Sequence, residues 1–350
     1  MQYIALDAHK RYSLALVEQT SGGVVCEARV EHARGAIQRF LAQCDAGSPV
    51  AVEAAGSWYW IVDEIEAAGM TPCLVHPRKA KLMMGMINKT DRLDVRGLNR
   101  LQRTGALPTV WIPSAELRDQ RDLPRTRMVL AQHRVRLKNR IHATLAKYAL
   151  AAPGVTDLFG ETGGEALPDL IGQLPPQTQF ATRILREQLD LVEEQIFQFE
   201  TRIRDVFTAS AAMARLMTLP GVGFILGLVI LLEIGEVRRF PTAAHLASYA
   251  GTTPRVEASG GKIRFGRVRP DVNHYLKWAF GEAANVICLH RRHWPGRHVS
   301  RLYDRIHHRK GHQKAIGAVA RHLAEATYWM LSKQESYREP RWRPLASTKA

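Results

Sequence analysis

The chain has 350 residues, 46% of them hydrophobic, enough to bury a core and room for about two domains, which excludes a disordered chain. Its 49 Lys+Arg against 33 Asp+Glu give a formal net charge of +16, which points to a polyanionic partner such as nucleic acid or, less specifically, an anionic membrane surface. The four cysteines, Cys26, Cys44, Cys73 and Cys288, form no Cys-x-x-Cys pair, so neither a zinc site nor a disulfide framework is suggested and a reducing cytoplasm is expected.

The charge is unevenly distributed. The first 75 residues hold 5 Lys+Arg against 9 Asp+Glu, whereas residues 255–314 hold 14 against 4. No charged and then apolar leader precedes Tyr3, and the longest apolar stretch, Gly223 to Leu232, is about half a membrane span, so no signal peptide, transmembrane helix or membrane partner is expected.

In chain order, Tyr3 to Leu6, Ser13 to Val17 and Val24 to Val30 read as three strands of a meander, with Ser21-Gly22-Gly23 as a turn. A helix around Ile37 to Cys44 leads to the strand Val50-Ala51-Val52, ending in Glu53. A helix near Trp58 to Ala68 and a strand at Cys73-Leu74-Val75 follow. This alternation predicts an α/β domain, a mixed sheet with helices packed against it.

From Pro77 to about Leu150 the pattern is helical and basic, and it includes Arg134, Arg136, Lys138 and Arg140. Residues 151–180, with several Gly and Pro and no sustained period, read as a linker. Leu185, Leu189, Val192, Ile196, Phe199, Ile203 and Val206 then recur at spacings of four and three. That is a coiled-coil seam, which closes either on the helix at residues 129–150 or on a second chain. Leu219-Pro220-Gly221-Val222-Gly223 precedes an apolar helix to about Ile234. A Gly- and Arg-rich loop over residues 251–269 precedes further helices, making the C-terminal half mainly α-helical.

Four carboxylates stand out. Asp7 and Glu53 end two predicted strands that would border one crevice if they pair, and Asp91 and Asp94 share a helix face at a spacing of three. Four converging negative charges require divalent cations, and two Mg2+ ions about 4 Å apart suit both the hard oxygen ligands and a phosphoryl displacement. Singly, each has a plainer reading: Asp91 as a helix cap, Asp94 on a solvated face, Glu53 as a strand-end charge, Asp7 as a turn former. Together they match a ribonuclease-H-like arrangement.

Ser259 stands before Gly260-Gly261 among Arg255, Lys262, Arg264 and Arg267. The glycines admit a phosphate close to the backbone and the cations stabilise a phosphorane, conditions under which a serine oxygen becomes a usable nucleophile. The plainer reading is a turn on a basic surface. Gly221 and Gly223 lie in a turn resembling that of helix-hairpin-helix modules, whose amides contact phosphates, although an ordinary helix start reads the same way. Arg291, Arg292, Arg297, Arg301, Arg305, Arg309 and Lys310 extend the positive surface. Trp294 and Tyr303 are either stacking platforms or core.

Ala5-Leu6-Asp7-Ala8-His9-Lys10, Val52-Glu53-Ala54, Lys89-Thr90-Asp91-Arg92-Leu93-Asp94, Leu219-Pro220-Gly221-Val222-Gly223, Ala250-Gly251-Thr252-Thr253-Pro254 and Ala258-Ser259-Gly260-Gly261-Lys262 occur in one order. In this the chain resembles the insertion-sequence transposases related to pilin-gene-inverting recombinases, the bridge-RNA-guided recombinases. The resemblance implies a RuvC-like domain over residues 1–110 with a Mg2+-binding tetrad of Asp7, Glu53, Asp91 and Asp94. It implies basic helices, linker and coiled coil over 111–210, and over 211–335 a transposase domain whose Ser259 attacks the scissile phosphate and holds the DNA end as phosphoserine; a tail spans 336–350. It further implies double-stranded target and donor DNA, a structured noncoding guide RNA, a homo-oligomer (dimer or tetramer) and a nucleoid-associated location in the bacterial cytoplasm. Two departures stand out: Ala258 occupies a position where many relatives have a second serine, and Pro270-Asp271-Val272 replaces a commoner basic, glycine-containing turn. Two other readings remain at this point, a RuvC-like resolvase that uses water as nucleophile and a nucleic-acid-binding scaffold with structural carboxylates.

Overall fold

A computed structural model describes residues 1–85, 90–152 and 154–340. Lys89 of the Asp91 motif and residues 341–350 of the expected tail therefore lie outside the described residues. The chain divides into two compact units, Met1–Ala115 and Glu116–Ala350.

The first unit is built on a five-stranded sheet of order β3-β2-β1-β4-β5. Its strands are β1 (Gln2–Ala8), β2 (Tyr12–Gln19), β3 (Val24–Glu31), β4 (Pro49–Glu53) and β5 (Thr71–Val75). The first three form an antiparallel meander, while β4 runs parallel to both β1 and β5. β1 is central, and Ile4, Ala5 and Leu6 are all fully buried. A strand covered on both faces has no need of polar alternation, and its sequence shows none.

Helices α1 (Ala36–Leu41) and α2 (Trp58–Ala67) cover one face, placing Ile37, Leu41, Ile61 and Ile65 against Ile4, Leu6, Val50 and Val52. The six-residue α1 borrows its cap from α2: the Glu64 carboxylate accepts from the backbone N–H groups of Gly35, Ile37 and Gln38. Helices α3 (Pro77–Met84) and α4 (Asp91–Arg103) cover the opposite face through Ala80, Met84, Val95 and Leu98, against Ala5, Ala51 and Val75.

The second unit begins with α5 (Ala115–Lys147), α6 (Glu161–Gly172) and α7 (Pro176–Val206). α5 and α7 pack antiparallel. Arg127 pairs with Glu200, Lys138 with Glu193 at 2.8 Å, and Tyr148 Oη meets Thr178 Oγ1 at 3.2 Å. Leu189, Val192 and Ile196 of the apolar seam close on Leu137, Ile141 and Leu145 of α5.

The sequence reading of residues 151–180 as a linker is corrected, because α6 and the start of α7 lie there. Gly163, Gly164 and Pro168 hid the helix. Leu167, Leu170 and Ile171 bury against the α5–α7 pair, and a Cβ at Gly163 would run into the backbone of Asp157 and Leu158. Tertiary packing outweighs weak local propensity there.

The rest of the unit comprises α8 (Ala211–Leu216), α9 (Phe224–Ile234), α10 (Ala243–Tyr249), β6 (Val256–Ser259), β7 (Lys262–Phe265), α11 (His274–His290), α12 (His298–Lys310) and α13 (His312–Lys333). Its core gathers Ile230, Leu246, Phe280, Val319 and Leu323. The loop expected over residues 251–269 contains a β-hairpin, since β6 and β7 pair through a Gly260-Gly261 turn. Tyr303 proves to be core. It is buried, its hydroxyl lies 2.8 Å from His312 Nδ1, and it offers no stacking platform. The segment after α13 forms a strap across the unit: the Tyr337 N–H donates to Thr218 Oγ1 at 2.8 Å, the Tyr337 hydroxyl meets His322 Nε2 at 3.2 Å, and Glu339 accepts from the His298 N–H at 2.8 Å. Among the described residues no helix is long and apolar enough to cross a membrane.

Candidate active-site elements

The first unit gathers carboxylates at one end of its sheet. Leu6 pairs with Val52 across the parallel β1–β4 ladder, so Asp7 and Glu53 follow side by side. Side chains alternate along a strand, which puts Asp7 and Glu53 on the face of Ala5, Ala51 and Val75, the face that α3 and α4 cover. Asp91 and Asp94 occupy the first turn of α4. There the Thr90 hydroxyl caps the helix by accepting from the Leu93 N–H at 3.3 Å, leaving Asp91 free of the capping role that a turn residue would have.

The tightest convergence includes a residue to which sequence reasoning gave no role. His9 Nε2 lies 3.3 Å from Asp7 Oδ2 and 3.3 Å from Asp91 Oδ2. Ligand atoms of Asp7, His9 and Asp91 all fall within 4.8 Å of one another. Glu53, beside Asp7 in the ladder, and Asp94, in the first turn of α4, lie outside this tight group. The one signal in the sequence was weak, a histidine two residues after Asp7 and just past the end of β1, where strand alternation no longer fixes the side it faces. Such a donor set of oxygens with one imidazole nitrogen fits a divalent cation.

Ser259 belongs to the second unit, at the tip of the β6–β7 hairpin. Register pairs Val256 with Phe265, Glu257 with Arg264, Ala258 with Ile263 and Ser259 with Lys262. One side of the ribbon therefore carries Glu257, Ser259, Lys262 and Arg264, and the other carries Val256, Ala258, Ile263 and Phe265. Gly260 and Gly261 have φ of 57° and 73°, the left-handed pair that a two-residue hairpin turn requires. Lys262 sits directly opposite the serine and Arg264 diagonal to it, whereas Arg255 and Arg267 bond through their backbones at the base of the ribbon, at 3.1 Å. All of β6 and β7 is exposed.

A buried ion network ties α5 to the end of α9 and the start of α11. Glu233, at the end of α9, accepts from Arg125 Nε at 2.6 Å and from Asn273 Nδ2 at 2.8 Å, and Arg121 donates to the carbonyls of Leu232 and Glu233. Burial pulls the Arg121 guanidinium below its usual pKa, and the charge of Glu233 opposes that shift. Asn273 also caps α11, accepting from Tyr275 and Leu276. Such a network fixes orientation, because removing one partner strands a buried charge.

Gly221 and Gly223 differ in role. Gly221 has φ of 77°, and a Cβ there would strike the Ala283 carbonyl, so this glycine serves close packing on α11. Gly223 is the N-cap of α9 and opens onto a groove of about 610 Å³ lined by Arg204, Trp294 and Arg297.

Comparison with known proteins matches a DEDD transposase domain of IS110 elements to residues 4–150 and the transposase family IS116/IS110/IS902 to residues 213–300. A probable family 20 transposase of Pseudomonas aeruginosa is 25% identical over 90% of this chain and 92% of its own length. The transposase for insertion sequence element IS1111A of Coxiella burnetii is 24% identical over 91% and 86% respectively. A shorter match, 34% identical over 42% of this chain and 35% of its own length, is to an insertion element IS110 protein of Streptomyces coelicolor. With a mixed α/β unit carrying the clustered acids, a helical unit carrying the serine hairpin, and both domains matched in that order, the chain belongs to the IS110/IS116/IS902 family of insertion-sequence transposases.

Proposed function

We propose that this transposase is a serine-dependent DNA recombinase of its own insertion sequence. The observation that carries the reading is the two-sided hairpin, which presents Ser259 to solvent on a ribbon face shared with Lys262 and Arg264, at a Gly-Gly turn that a phosphate can approach. Ser259 Oγ attacks a DNA phosphorus. The Oγ–P bond forms, the P–O bond to the departing strand breaks, the serine proton passes to solvent and the departing oxygen is protonated. The DNA end is thereby held as a phosphoserine until a strand hydroxyl reverses the exchange. Lys262 and Arg264 offset the charge that builds on the phosphorane.

Asp7, Glu53, Asp91 and Asp94 would hold divalent cations, Mg2+ in the first instance, and such cations supply Lewis acidity toward phosphoryl oxygens. Support comes from the convergence of Asp7 and Asp91 and from the β1–β4 register that sets Asp7 beside Glu53. Target and donor duplex DNA are the substrates, with Arg255, Arg267 and the amides around Gly223 as phosphate contacts. A structured noncoding RNA is the guide, a partner that rests on the family resemblance and on the net charge of +16. A homo-oligomer is supported by Leu191 and Phe197, exposed at 57% and 66% on α7.

The test is incubation of wild type and Ser259→Ala with the element's flanking transcript, Mg2+ and labelled target and donor DNA. A denaturant-resistant protein–DNA adduct in wild type and none in the variant is the expected result. Cleavage that persists in Ser259→Ala without any adduct would instead assign the chain to water-dependent hydrolysis, and normal binding with no cleavage at all would assign it to a scaffold.

A further inference from the structure

We propose that His9 is a ligand, through Nε2, of the divalent cation in the carboxylate site, and that it makes this site a better host for manganese than for magnesium. The inference rests on the reading that the carboxylates bind a cation and adds to it a nitrogen donor and a metal preference.

The distances argue for coordination. Neighbouring ligands of an octahedral ion bound at about 2.1 Å stand roughly 3.0 Å apart. His9 Nε2 stands 3.3 Å from one oxygen of Asp7 and 3.3 Å from one of Asp91, two separations close to that spacing, and the three ligand atoms all lie within 4.8 Å of one another. An ordinary hydrogen-bonding role explains the nitrogen less well. A single N–H points at one acceptor, and although Nε2 is closed to solvent it makes no aligned hydrogen bond to either oxygen.

The ring is also held in place. The His9 backbone N–H donates to the Tyr12 carbonyl at 2.8 Å, closing the tight turn between β1 and β2 that carries the side chain, and the imidazole lies against the Tyr12 ring with centroids 4.7 Å apart. A donor fixed before the ion arrives costs little ordering entropy on binding.

The metal preference follows from ligand chemistry. Mg2+ demands hard oxygens, whereas imidazole suits the transition metals and Mn2+ accepts mixed shells of carboxylate and nitrogen. Replacing one oxygen position by His9 Nε2 therefore weakens Mg2+ relative to Mn2+.

The experiment is electron spin-echo envelope modulation on full-length protein loaded with Mn2+, together with calorimetric titration of Mn2+ and Mg2+, for wild type, His9→Asn, His9→Gln and Asp7→Asn. Expected are nitrogen modulation in wild type and its loss in both His9 variants while Mn2+ still binds. A preference for Mn2+ on the order of tenfold should collapse in those variants. Mn2+ binding that depends on Asp7 but shows no nitrogen modulation, or modulation that persists in both His9 variants, overturns the assignment of His9 alone. Mn2+ binding indifferent to Asp7→Asn overturns the carboxylate reading beneath it.

Discussion

Single residues here do several distinct kinds of work, and Gly221 shows the difference between a contact residue and a packing residue. Its φ of 77° is unfavourable for any side chain, and the Ala283 carbonyl leaves no room for one. Gly221→Ala should therefore lower stability by about 3 kcal/mol, seen as a fall in Tm, because strain and overpacking each contribute 1 kcal/mol or more. Gly223→Ala, with open space at the same atom, should leave Tm nearly unchanged and affect DNA affinity if the α9 amides touch phosphate. Sequence alone named both glycines and could not separate them, since backbone approach between elements distant in the chain leaves no local mark. Asp7 and Glu53 were legible because each closes a β-forming run, and His9 was overlooked because a lone histidine beside a turn has no periodicity to flag it.

Among the elements, the strap after α13 ties protonation to packing. His322 is pushed down to about 4 by burial, assisted by the charge of His298 and opposed by Glu325. Below pH 6.5 the unfolded chain takes up a proton that the folded chain declines until about pH 4, so stability falls as pH drops through that window and is fully present above it. The loss attributable to this residue is up to about 3 kcal/mol. Thermal melts between pH 7 and pH 4 should show it, and His322→Gln, which still reaches toward the Tyr337 hydroxyl, should flatten the profile; an unchanged profile would remove His322 as the cause. Elements were unevenly readable. The meander announced itself through Ser21-Gly22-Gly23 and its apolar runs. The β6–β7 hairpin carried an equally good signal in Ser-Gly-Gly-Lys between alternating residues, but the density of cations drew attention to binding and away from strand pairing. α6 could not be read at all, because only its burial against α5 and α7 offsets Gly163, Gly164 and Pro168.

At the scale of the whole molecule, charge is segregated between an acidic start and a strongly basic stretch over residues 255–314. Affinity for DNA should therefore fall steeply with salt through counterion release. Lys262→Ala and Arg264→Ala should each reduce the slope of log K against log salt by about 1 if each neutralises one phosphate. Fluorescence anisotropy with nonspecific duplex across a salt series reads this directly, and an unaltered slope in both variants would take the ribbon out of the DNA contact. Sequence showed this segregation plainly. The way each unit buries its own core became visible only in three dimensions.

The two-sided ribbon also gives the enzyme something like a reading frame. One residue inserted or deleted within β6 ahead of Ser259 would turn every side chain from there to the turn to the opposite side, bringing Ala258 or Gly260 where Ser259 now stands. Such a protein would keep its charge and its core, yet the Ser259 hydroxyl would no longer share a face with Lys262 and Arg264, and on the proposed mechanism the protein–DNA adduct should disappear. If Ser259 is the nucleophile, the length of β6 matters to the reaction as much as the serine does.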